Sequence, residues 1–406
     1  MAPERPQPSN KLQQLFPNTK LPVIISAPML AVSNGTLAAQ VSKAGGFGTV
    51  QGGYDLSPGS AHLASLEEDL KTARAALGLT EMTLTPAPVG VGFITYHESV
   101  RRFRETALPI LEKYLPQAVW LFAPDPDAAG GRAHPGIIEV LHEHGIKVFV
   151  QVGTVAAARE AARDGADIIV AQGADAGGHQ FAAAAGVVSL VPEVRAMLDE
   201  EFGGREIALV AAGGIADPSA VVAAIALGAD GVVMGTKVHD LMFIVKFIVA
   251  KESSAPEYRR KAILEGKDGG NTTVKTWEYR PNETDPGRTT FHDDILGTSV
   301  WPKTYDGRAI LTDSYRDHAA GLSLEENRAK FGAAKDAGDD SRQVTWSGTG
   351  VGLVKDAIPA ADIVRNTQEA AKQRLQALRF AFDDEGKDPK EKSWIKDLGH
   401  TLYKHK

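Results

Sequence analysis

Apolar positions along this chain fall into two alternating periods. Short β-branched runs occur at residues 23–26 (VIIS), 48–50 (GTV), 89–93 (VGVGF), 118–122 (AVWLF), 147–150 (KVFV), 168–171 (IIVA), 207–211 (IALVA) and 231–234 (GVVM). Between them lie alanine-rich stretches with helical spacing, at 34–44, 61–77, 98–114, 154–164 and 219–227. This alternation predicts an α/β protein with a parallel sheet. Three segments, KAGGFGTV, DGADIIVAQG and LGADGVVMG, place glycine where a helix ends in a left-handed turn and a buried strand soon begins. Eight strands with short, glycine-stopped returns predict a TIM (β/α)8 barrel, with a doubly wound open sheet as the alternative.

The pattern stops after the eighth strand. Residues 241–345 carry turn clusters (KDGGN, RPNETDPGR), scattered aromatics and acidic-basic helices without a βα period. The chain then returns with WSGTGVGLV and an alanine-rich helix near 360–380. The expected organisation is a barrel built from 15–240 and 346–380, an inserted, mainly helical second domain at 241–345, and a charged tail at 381–406. The insert's Trp277, Tyr279, Trp301 and Tyr305 suit either a wall over the barrel mouth or the insert's own core.

Composition narrows the partners. With 44 basic against 51 acidic residues the net charge is −7, and no basic block stands out, so neither nucleic acid nor an anionic membrane is expected as a partner. The absence of cysteine excludes disulfides, thiolate metal sites and cysteine nucleophiles. The N-terminal stretch MAPERPQPSNKLQQLFPNTK has no apolar core, and LMFIVKFIVA at 241–250 is too short to span a bilayer and carries Lys246. A soluble, cytoplasmic protein is the expectation.

In a barrel, ligands sit at the C-terminal ends of the strands, and phosphate commonly lies on the last two βα loops. Those loops here are AAGGIAD (211–217) and MGTK (234–237). Gly213 and Gly214 offer backbone N–H groups without a Cβ, and a helix opens near Pro218. Gly235 and Thr236, after Met234, supply a second set of donors. Tight turns that bind nothing have the same composition. Strand one ends in APML, so Ala27, Pro28 and Met29 lie at the barrel mouth, where they suit an aromatic ring or plain core filling. Glycine recurs in QGGY and in VGVGF, which contains Gly92. The sixth strand leads into AQGADAGGHQF, residues 171–181, where Gly177 and Gly178 precede His179. An imidazole there is either a solvated loop residue or a group that binds an anion or takes a proton near neutral pH. His97 is the other histidine well placed at a strand end, while His134, His142, His144, His239, His400 and His405 read as structural or surface residues. No zinc-ligand spacing, H-E-x-x-H motif or serine elbow is present, so no metal site is expected.

The series PVIISAPM, GGFGTV, AQGADAGGH, AAGGIAD and VVMGTKV, in that order, resembles the nitronate monooxygenases of fungal type over about residues 20–380. The resemblance implies an FMN-dependent barrel that oxidises small nitronates with dioxygen to a carbonyl compound and nitrite. It places the flavin phosphate on the loops holding Gly214 and Met234 to Thr236, and the ring near Pro28 and Met29. Gln151 and Gln172 would contact the flavin, and His179 would bind the nitronate or deprotonate a neutral nitroalkane. Two positions depart from the pattern: Gly92 stands where many members carry asparagine, and Gln151 where some carry lysine. The glycine-histidine loop is also similar to that of NAD(P)H-dependent flavin reductases acting on quinones or enoyl thioesters, which is the alternative expectation. A phosphate-binding barrel without redox chemistry is the third.

Overall fold

The computed structural model describes residues 10–80, 83–127, 131–235, 247–276, 290–298, 301–354 and 356–382. All eight expected barrel strands are present, with boundaries shifted by a few residues. They are β1 (Val23–Ser26), β2 (Gly48–Gly53), β3 (Ala87–Ile94), β4 (Pro116–Phe122), β5 (Lys147–Val152), β6 (Ile168–Gln172), β8 (Ala208–Ala212) and β9 (Gly231–Met234). A further strand, β7 (Gly178–Phe181), lies outside the barrel. Neighbouring barrel strands pair in parallel in the order β1-β9-β8-β6-β5-β4-β3-β2, and an Ile25–Phe47 bridge brings the two ends together.

Strand alternation sorts the core into two layers. Val23 and Ile25 point into the barrel with Phe47, Trp120, Phe149 and Val210, whereas Ile24, Val50, Val89 and Leu209 pack outward against the helices. The helices begin where polar caps stop the strands. Asn34, Ser60, Thr154 and Asp217 each accept a backbone N–H from the first turn of α2 (Gly35–Lys43), α3 (Ala61–Ala76), α6 (Val155–Asp164) and α8 (Pro218–Ala226). Gly45, Gly165 and Gly228, the glycines of the three recurrent helix ends, all have positive φ.

The N-terminal end of the barrel is stoppered. Helix α1 (Lys11–Leu15) is anchored by Asn10 Nδ2 to the Asp230 carbonyl, and Lys11 Nζ reaches the Ile207 carbonyl, both just before barrel strands begin. Its Leu12 is fully buried, and Phe16 stacks within 4.3 Å of Phe47 and 5.7 Å of Phe149. At the far end of the chain, α14 (Ala360–Phe382) packs between α8 and α2. Gln368 Nε2 fixes it by donating to the carbonyls of Lys20, Pro22 and Gly45.

The region after β9 contains helices α9 (Glu257–Glu265), α10 (Gly269–Thr272), α11 (Phe291–Leu296), α12 (Asp313–Ala319) and α13 (Leu324–Asp336). It also contains two strands that the sequence pattern does not announce, β10 (Thr273–Thr276) and β11 (Tyr305–Ile310). They form an antiparallel sheet in the order β10-β11-β7. The segment expected as a sixth loop is therefore a strand stitched to the insert, with His179 opposite Gly307. Among the described residues, no helix is long and apolar enough to cross a membrane, and no cluster of three His, Cys, Asp or Glu could hold a metal.

Candidate active site

A cleft of about 590 Å³ opens at the C-terminal ends of the barrel strands. It gathers Ala27, Pro28 and Met29 from the end of β1, Gly92 from β3, Gln151 from β5 and Gln172 from β6. Gly177, Gly178 and His179 face it from the β7 segment, Gly213 and Gly214 from the turn after β8, and Gly235 from the turn after β9. Met234 is not brought there. Alternation along β9 turns Val233 inward and sends Met234, 1% exposed, into the outer layer against the helices. Thr236, like Trp277, Tyr279 and His239, lies outside the described residues.

The glycines are required by close backbone crossings. Gly213 and Gly214 have φ of +94° and +70°, and a Cβ on Gly213 would come within 2.6 Å of the Gly173 carbonyl oxygen. A Cβ on Gly177 would meet the Gly348 nitrogen at 2.3 Å, because the returning GTG segment lies directly across this loop. Gly348 and Gly350 consequently join the cleft wall.

Two amides leave acceptors unmet. Gln172 Nε2 donates to the His179 carbonyl at 3.3 Å, and Gln51 Nε2 donates to Ser65 Oγ at 3.0 Å. The Oε1 atoms of both residues are buried without a partner on the cleft wall. An unpaired buried acceptor is costly, so these oxygens are free to accept from donors on a ligand in the cleft. Gln151 Oε1 accepts from Trp120 Nε1 at 3.1 Å, which fixes its amide at the cleft floor.

His179 is held on three sides. Its ring stacks on Trp301 with centroids 3.7 Å apart and planes 10° from parallel, and Trp346 lies at 4.6 Å. Its Nε2 donates to both carboxylate oxygens of Asp293, at 3.1 and 3.0 Å. Asp293 sits on α11, and its side chain is 3% exposed. Burial alone would raise its pKa; the imidazole and the hydroxyls of Thr290 (2.6 Å) and Thr298 (2.9 Å) outweigh it and hold the carboxyl below its ordinary range. The arrangement can therefore present a tethered imidazole to an anion or to an acidic C–H.

Of the other histidines, His97 lines the cleft, but its Nδ1 is engaged with Ser99 at 2.7 Å, capping the turn at 98–102. His134 is buried with Nε2 on Thr95 Oγ1 at 2.8 Å, and burial pushes its pKa down to about 3. It is structural. Sequence reasoning did not find Asp293, Trp346 or Arg259, a basic residue of α9 that also lines the cleft. The one local signal for Asp293 is the T-x-x-D spacing from Thr290, which caps α11. Trp301 proves to be a cleft wall, while Tyr305 is buried against Phe122 and Phe181 and donates its hydroxyl to the Pro124 carbonyl.

Comparison with known proteins decides the family. The nitronate monooxygenase family model matches residues 129–369. A nitronate monooxygenase of Neurospora crassa is 55% identical over 378 residues, covering 91% of this chain and 94% of the relative. The chain belongs to the nitronate monooxygenase family. It is accordingly an oxidoreductase, and a second member of the family, from Metarhizium robertsii, is 34% identical over 90% of this chain and 96% of its own length. Two solved structures share the family member's barrel. FabK from Thermotoga maritima superposes with a TM-score of 0.64 at 24% identity, covering 92% of this chain and 99% of that one. A nitroalkane oxidase from Streptomyces ansochromogenes gives 0.62 at 22%, covering 90% and 99%.

Proposed function

We propose that this enzyme uses FMN to oxidise alkyl nitronates, and nitroalkanes after loss of a proton, with dioxygen to a carbonyl compound and nitrite. The observation that carries this reading is the meeting, in one cleft, of a carboxylate-tethered histidine, unpaired buried amide oxygens and a cradle of bare glycines. These residues fit a planar ring with N–H donors and a terminal phosphate. The Oε1 atoms of Gln51 and Gln172 would accept from the ring N–H and the ribityl hydroxyls, and Pro28 and Met29 would flank the ring. Gly213, Gly214 and Gly235 would offer backbone N–H groups to the phosphate, with the opening of α8 close behind and Arg259 supplying positive charge. When bound, FMN supplies an electron acceptor, which no side chain of this protein can.

The chain's own groups do the rest. Trp120, Phe122 and Trp301 give the cleft an apolar wall that excludes water from a small carbanion equivalent. His179 holds an anionic nitronate when protonated, and when neutral it takes the α-proton of a nitroalkane.

Gly92, where many relatives carry asparagine, has a structural reason. A Cβ at this position would lie 2.3 Å from Pro28 Cβ and 2.5 Å from its Cγ, so proline occupies the space a side chain would need. Gly92→Asn should therefore displace Pro28 and weaken FMN retention by about tenfold or more, given that overpacking costs roughly 1–3 kcal/mol. Flavin-to-protein stoichiometry after dialysis measures this, and tighter retention would show that the ring does not lie against Pro28.

The function itself is tested on purified protein loaded with FMN, assayed under air without NADH on nitroethane and its nitronate. Nitrite release supports the proposal. Absence of nitrite, together with NADH oxidation by a quinone or an enoyl thioester, would replace it with a reductase.

A further inference from the structure

Asp293 comes from the insert, 114 residues along the chain from the histidine it touches. As the third residue of α11 it has an ordinary alternative, a capping box in which the carboxylate turns back to its own helix N-terminus. The structure does something else. The Thr290 hydroxyl accepts the Asp293 N–H at 3.0 Å and donates to its Oδ2, while the two carboxylate oxygens go on to His179 and to Thr298. A carboxylate this deeply buried is tolerated only with charge or hydrogen-bond partners, and here it has three.

An ionised carboxylate accepts and cannot donate, so the ring nitrogen facing it carries the proton. Nδ1 of His179 makes no hydrogen bond to the described residues, and the side chain keeps 15% exposure on the cleft wall. The stack on Trp301 opposes rotation of the ring. On the far side, Trp346 fills the space over Gly307, where a Cβ would come within 2.5 Å of the indole.

We propose that Asp293 is a positioning residue for His179, fixing the proton on Nε2 and the lone pair on Nδ1, so that Nδ1 takes the α-proton of a neutral nitroalkane. In that step the Cα–H bond breaks, the proton passes to Nδ1, and the electron pair moves onto the nitro group. The product is the nitronate that the same cleft oxidises, and the imidazolium left behind sits between that anion and the Asp293 carboxylate. The inference rests on the functional reading above. It adds a role for the insert, whose α11 completes the site that the barrel begins.

Other ionisable groups lie near this histidine. Asp306 on β11 is paired with Lys275 Nζ at 3.3 Å, and burial pushes its pKa up to about 6. His292, next to Asp293 on α11, is buried with both ring nitrogens unpartnered, and burial pushes it down to about 4. Tyr96, which packs on Trp301 at 4.7 Å, is raised by burial. Among the described residues, Asp293 is the ionisable group that hydrogen-bonds the imidazole.

Two measurements on the FMN-loaded full chain test this. In the first, ¹⁵N-histidine NMR, with His179 assigned by comparison with His179→Asn, should find the neutral ring protonated on Nε2. The Nδ1–H tautomer would overturn the proposal even if the enzyme proved to act on other substrates. In the second, Asp293→Asn, with flavin absorbance retained, should lose about 10²-fold in kcat/KM on nitroethane, the lower end of a general base's contribution. Its turnover of ethyl nitronate should fall far less. Asp293→Glu should recover part of the loss. Equal losses on both substrates would make Asp293 merely structural. Wild-type enzyme that releases nitrite from neither substrate would instead sink the functional reading, and the tautomer measurement would still decide Asp293.

Discussion

Replacing His179 by asparagine should leave a yellow, FMN-loaded protein whose turnover of neutral nitroalkanes is reduced by about 10²–10⁴-fold, the range a positioned general base contributes. The asymmetry between substrates is the informative part. A nitronate arrives already deprotonated, so for it the imidazole contributes only charge and orientation, and the loss should be much smaller. Asparagine keeps a polar side chain in the box formed by Trp301, Trp346 and Asp293, which limits collapse of the wall. Steady-state kinetics on matched pairs, nitroethane and ethyl nitronate, read the difference directly. Equal losses on the two would mean that His179 orients the ligand and removes no proton.

The second large effect is expected from a residue with no chemistry of its own. Gly177→Ala places a methyl group 2.3 Å from the Gly348 nitrogen and 2.4 Å from the Ser347 carbonyl carbon. Both are backbone atoms and cannot swing aside. Overpacking of this kind costs about 3 kcal/mol or more, the upper end of the usual range. Relief requires lifting either the segment before β7 or the returning GTG segment, and both carry cleft residues. Thermal stability and nitroalkane turnover should therefore fall together. Gly178→Ala is the internal control. That neighbour has φ +75° but nothing within 4 Å of a built Cβ, so it should lose only the roughly 1–2 kcal/mol of left-handed strain. Similar behaviour of the two variants would show that loop six is not pinned by the crossing.

How much of this was legible in the sequence depends on the distance over which each feature is encoded. The eight strands follow from local β-branched runs, and the three glycine helix ends from local turn chemistry, so both are in place. Most of the cleft glycines and His179 were also readable, because the ends of barrel strands converge whatever the details of packing. Met234 shows the limit of reading by loop membership: strict alternation along GVVM assigns Val233 to the inside and Met234 to the outside. The segment GHQF has no strand signature of its own in the sequence. Its strand character comes from pairing with β11, more than a hundred residues away. Asp293 and Arg259 escape a sequence reading for the same reason, since residues 241–345 have no period from which to place their faces, and Trp346 reaches the cleft only because the returning segment crosses it.

The aromatic stopper at the foot of the barrel has a kinetic consequence. With Leu12 and Phe16 wedged beneath Phe47 and Phe149, the foot of the barrel is filled, and the cleft opens at the strand tips. In the proposed reaction, nitro compound, gas and aldehyde would share the mouth beside Tyr96 and Leu296, and a slow-leaving aldehyde would hold the queue behind it.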